Sequence, residues 1–121
     1  MSFFKWFIVT LALLLGGWLT FDGSRAWIVG DFITPSSGPY AGQLGPWSKV
    51  IRALGLEPRG KLVKALHVAL GAGWLAAATV FVLRPAAGWW CLAACAVGTL
   101  WYLPIGTVIS ILVLITLVVC R

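Results

Sequence analysis

Acid is the scarcest chemistry in this sequence, with three Asp and Glu residues among 121 against nine Lys and Arg, a formal net charge of +6. All three acids, Asp22, Asp31 and Glu57, fall within residues 22–60. The long apolar stretches therefore hold no carboxylate of the kind a proton relay or coupled transporter places inside the hydrocarbon region. Histidine occurs once, at His67, which excludes a bis-histidine haem held by this chain alone. No HExxH, GxSxG or CxxC motif is present, and no two acids share a predicted helix face, so the common hydrolytic and metal-centre classes lose their support. Gly38, Gly42 and Gly45 are not followed by Lys and Ser/Thr in the register of a phosphate loop.

Cysteine is equally sparse. Cys91 and Cys95 lie four residues apart, on one helix face, where the backbone holds their side chains too rigidly to bridge with ease. They are expected to act as small packing residues. Cys120, beside Arg121 at an apolar segment's end, has the placement of an acylation site, although packing is the expected role there too.

What the chain has in abundance is apolar length. Hydrophobic residues make up 61% of it, well above the ~45–50% of a soluble domain, and the mean hydropathy is +1.01. Four stretches, 3–21, 61–83, 86–102 and 105–120, are apolar and nearly free of charge. The sequence thus predicts a single all-α integral membrane domain over 1–121 with four transmembrane helices. Leu103-Pro104 and Gly106 suit a tight reversal between the third and fourth, because one continuous helix over 86–120 would run to about 52 Å, too long for tilt to absorb. Three spans plus a re-entrant hairpin is the alternative. The first stretch carries Lys5 before its apolar run but lacks a small-x-small cleavage site after it, so it is expected to be retained.

The long connection, 22–60, opens with a polar break at Asp22-Gly23-Ser24-Arg25, and Asp22, Arg25 and Asp31 form a candidate polar cluster. Its most legible piece follows Gly45-Pro46. Trp47, Val50, Ile51 and Leu54 repeat at helical spacing, Lys49 and Arg52 take the other side, and Gly55 supplies a stop. This predicts a short amphipathic helix in the headgroup layer, or one that caps its own bundle. Ala65, Ala69 and Gly73 on the second span, and Cys91, Cys95 and Gly98 on the third, predict small-residue faces for close helix packing. The fourth span, apolar on every side, is expected to face lipid.

Six of the nine basic residues, Arg25, Lys49, Arg52, Arg59, Lys61 and Lys64, lie in or beside the connection, and Lys5, Arg84 and Arg121 lie on the other side. The positive-inside tendency then places the connection in the cytoplasm, with both termini outside a plasma (inner) membrane. Lipid headgroups are the nearest partner for this charge, and nucleic acid is not expected. His67 lies about two turns inside the second span, which leaves single-ligand haem or pigment binding open; a hydrogen-bonded boundary histidine is the expected role, and no cofactor is expected. The functional expectation is a small non-enzymatic accessory or assembly subunit, joined to other membrane subunits or to itself, with the connection as its contact surface. A small-molecule or lipid-binding transport protein with a site between helices and connection is the second expectation. A membrane enzyme using Asp22 or Asp31 is the third.

Overall fold

The computed structural model describes residues 3–32, 34, 39, 43–102 and 105–119. The expectations placed on Leu103-Pro104, Gly38, Gly42, Cys120 and Arg121 lie outside the described residues. Among those described the chain is all-helical, with α1 Phe3–Val29, α2 Trp47–Ala53, α3 Lys61–Leu83, α4 Pro85–Gly98 and α5 Ile105–Val119. Two helices, α1 and α3, are long and apolar enough to cross a membrane. At ~1.5 Å per residue the 27 residues of α1 and 23 of α3 run to about 40 and 34 Å, whereas the 14 of α4 and 15 of α5 reach only about 21 and 22 Å.

The first helix does not stop at the polar break. It continues through Asp22-Gly23-Ser24-Arg25 to Val29 and ends at Gly30, whose φ of +105° takes the left-handed conformation that closes a helix. Gly23 has a different use. A Cβ there would lie 2.9 Å from the Cβ of His67, so the glycine lets α1 and α3 touch rather than breaking α1. One turn deeper, Gly71 of α3 packs directly on Thr20, and a Cβ on Gly71 would come within 2.8 Å of the Gly16 carbonyl. This glycine-lined approach is the tightest contact between the two long helices. They run antiparallel, since Lys5 Nζ reaches the Val82 carbonyl at one end while Lys64 Nζ donates to the Gly30 carbonyl at the other.

Pro85 opens α4 immediately after the turn at Arg84, and Gly88 packs against the backbone of Phe81, folding α4 back along α3. The predicted third span ends early, at Gly98, where Thr99 takes over. Its hydroxyl donates to the Cys95 carbonyl at 2.7 Å and accepts from Trp74 Nε1 at 2.9 Å, a buried link from α3 to the α4–α5 turn. α5 then returns antiparallel to α4, with Trp89 Nε1 donating to the Leu117 carbonyl. α5 is not apolar surface throughout. Gly106, Ser110, Val113 and Leu117 form one inward stripe, and Val113 is fully buried, while Val108, Ile111, Ile115 and Val118 point away.

The predicted small-residue faces divide. Gly73 lies beside Cys95, where a Cβ would meet Sγ at 3.6 Å, and Gly98 lies beside Leu70 at 3.7 Å, both ordinary contact distances. Ala65 and Ala69 are on the exposed side of α3, and Cys91 is exposed.

Candidate functional site

Because α4 ends at Gly98, its turn toward α5 comes up only to the level of His67, about two turns short of the start of α3. The step this leaves is filled by the connection. Trp47, at the start of α2, packs onto the turn residues Trp101 and Tyr102 and against Phe32, just after α1, and His67 touches all four rings. Ring centroids lie 4.5 Å from His67 for Phe32, 4.8 Å for Trp47, 5.3 Å for Tyr102 and 5.7 Å for Trp101. Contacts of this edge-on and tilted kind contribute about 0.5–1.5 kcal/mol each beyond the area they bury. His67 is wholly buried.

Its Nδ1 lies 2.9 Å from the Val63 carbonyl. A carbonyl only accepts, so this bond puts the imidazole proton on Nδ1 and leaves Nε2 as a bare acceptor. Nε2 is buried and has no hydrogen-bond partner among the described residues. It is the atom that would ligate a haem or pigment. No group of three or more His, Cys, Asp or Glu side chains that could hold a metal ion occurs among the described residues.

A polar collar fixes the segment that delivers Phe32. Asp31 Oδ1 accepts from Arg59 Nε at 2.9 Å and from the Phe32 backbone N–H at 2.9 Å, and Arg25 Nη1 donates to the Asp31 carbonyl at 2.9 Å. The ion pair is about two-fifths exposed on both sides, so it contributes about 0–1 kcal/mol and serves mainly to orient. Of the predicted cluster, Arg25 and Asp31 meet. Asp22 lies within α1 and is buried. The Tyr102 hydroxyl accepts from Trp18 Nε1 at 2.8 Å, tying the α4–α5 turn to α1.

The amphipathic stripe is split by this arrangement. Trp47 and Ile51 are buried in the bundle, Val50 is half-buried, and Leu54, Lys49 and Arg52 remain outside. Phe32, Trp101, Tyr102 and Trp18 are members of the site that sequence reasoning passed over. The available signal was a concentration of aromatic residues at the polar ends of apolar segments, which reads equally well as headgroup anchoring. No family model, curated protein or solved structure matches this chain.

Proposed function

We propose that this chain is a four-span plasma-membrane protein that serves as a small, non-enzymatic accessory or assembly subunit of a larger membrane complex, with the connection on the cytoplasmic side. The membrane placement is supported by large apolar side chains that point outward along every long helix, among them Phe3, Leu14, Leu62, Leu83, Ile111 and Val118. Non-helical backbone at membrane depth is tolerated where protein covers it, and Trp47 packs on Trp101 and Tyr102 at the end of α4. The six-to-three division of basic residues supports the orientation.

The observation that carries the subunit reading is the two-sidedness of α2. Its inner face is spent sealing the bundle, its outer face presents Lys49 and Arg52, and Leu54 and Leu56 are exposed just past its end. Extraction in mild detergent followed by mass analysis is expected to recover a stoichiometric second polypeptide. The double substitution Arg52→Glu with Leu54→Asp is expected to lose that polypeptide while the chain stays folded. A chain that elutes alone would contradict the reading, as would abolition of a transport or turnover activity by Asp22→Asn or His67→Gln in a folded protein.

A second reading, a binding protein for a small molecule or lipid held between helices and connection, is favoured by a groove of ≈ 470 Å³ lined by Ser24, Trp27 and Ile28 of α1 and Ala65, Val68 and Ala69 of α3.

A further inference from the structure

Ala65, Ala69, Ala72 and Ala76 recur along the outer side of α3, all of them exposed. They flank a furrow against α1. At one end is the groove bounded by Trp27 and Ile28; at the other is a second hollow of ≈ 280 Å³ lined by Val9, Leu13, Ala78, Thr79, Val82 and Leu83. Between the two, α1 contributes Gly17, where an added Cβ would meet nothing within 4 Å. The furrow's floor is set by the close approach of Gly16 to Gly71, which keeps it narrow. The alanine row from Ala65 to Ala76 runs about 16 Å at the rise of a helix, and the residues lining the two hollows are apolar apart from Ser24 and Thr79.

Charge is concentrated at one mouth; the other holds only Lys5, whose Nζ reaches the Val82 carbonyl, and Arg84 just past α3. Lys61 is exposed one helical turn before Ala65, on the same face. Lys64 stands beside it, with Nζ 3.2 Å from the Gly30 carbonyl. Arg25 and Arg59 lie at the same end with Asp31, which is paired to Arg59, and the buried Asp22 faces inward on α1. With Glu57, whose Oε1 accepts from the Arg59 N–H, this mouth carries four basic residues against three acids. Trp27, half exposed on the wall, is the kind of side chain that settles at the headgroup boundary.

We infer that the α1–α3 furrow holds one acyl chain of an anionic phospholipid, whose phosphate lies against Lys61 and Lys64. A narrow apolar track suits a single hydrocarbon chain, and a lysine pair between helices at the cytoplasmic surface suits an anionic headgroup. The proposal rests on the membrane reading and deepens its lipid-binding form.

The test uses the full chain in mild detergent, titrated with phosphatidylglycerol or with phosphatidylcholine of identical acyl chains, and counts retained lipid by native mass spectrometry. Retention of phosphatidylglycerol above phosphatidylcholine is expected. Lys61→Gln is expected to weaken the phosphatidylglycerol adduct about fivefold and leave the phosphatidylcholine adduct unchanged. Ala69→Trp, which fills the groove from an exposed position, is expected to remove both. Equal retention of the two lipids, or a Lys61→Gln variant that binds phosphatidylglycerol as the parent does, would overturn the inference. So would a dimer that Ala69→Trp dissociates, because a second copy would then occupy the furrow. The two levels fail separately: a chain that alkaline carbonate strips from membranes refutes the membrane reading, whereas a chain that stays embedded and shows no lipid preference refutes the furrow alone.

Discussion

Gly71→Leu is expected to abolish recovery of the folded chain, while Gly17→Leu is expected to be tolerated. Both replace a glycine in a long apolar helix by a good helix former, and helix propensity alone would favour each change. Packing reverses the outcome at one of them. A side chain at Gly71 would enter the backbone of Thr20 and crowd the Gly16 carbonyl, both parts of a helix that cannot step aside without giving up the α1–α3 contact. Overpacking a close contact typically costs about 1–3 kcal/mol, and a clash with backbone belongs at or above the upper end. At Gly17 nothing lies within 4 Å, so the leucine points outward. Fluorescence-detected size exclusion after a heat step would separate them. Equal survival of the two variants would refute the α1–α3 contact.

Trp47→Ala is expected to release the connection from the bundle without unfolding the two long helices. Trp47 is 5% exposed and touches Phe32, His67, Trp101 and Tyr102, so its removal takes away the ring that holds α2 over the α4–α5 turn. Truncating a buried aromatic of this size costs about 3–5 kcal/mol. Here that cost falls on α2, a seven-residue helix with little stability of its own. Limited trypsin digestion reads it directly. Cleavage after Lys49 and Arg52 should accelerate at least tenfold in Trp47→Ala, and Trp27→Ala, which alters an outward-facing ring, should digest as the parent does. If Trp47→Ala resists trypsin as well as the parent, α2 is held by something other than the ring cluster.

Where a local signal decided the backbone, the sequence was legible. The bounds of α3, 61–83, follow from Gly60 before it and Arg84-Pro85 after it. Gly55 ends α2 with φ +82°, and the Leu56 N–H returns to the Ile51 carbonyl at 3.1 Å, the bond expected of a helix closed by glycine. Where a distant contact decided, the sequence misled. Asp22-Gly23-Ser24 reads as a break because each residue disfavours helix, yet Gly23 sits against His67, and that contact carries α1 onward to Gly30. Val113 is one of many aliphatic residues in α5, and only its register in line with Gly106, Ser110 and Leu117 makes it core. His67 was visible as a singular residue. Its cage was not, because the rings come from residues 32, 47, 101 and 102, which meet only once α4 stops short and leaves a step to be filled.

The central claim, that the outward apolar surface of this bundle faces lipid and its basic end lies at the headgroups, is tested most directly by spin labels in a bilayer. Nitroxides at Leu14→Cys, Ile111→Cys and Glu57→Cys, with Cys91, Cys95 and Cys120 replaced, are compared for collision with oxygen and with a water-soluble nickel chelate in right-side-out vesicles. The labels at positions 14 and 111 should collide freely with oxygen and scarcely with nickel, and the label at 57 should be shielded from an impermeant reductant added outside. Strong nickel collisions at positions 14 and 111 would contradict the account.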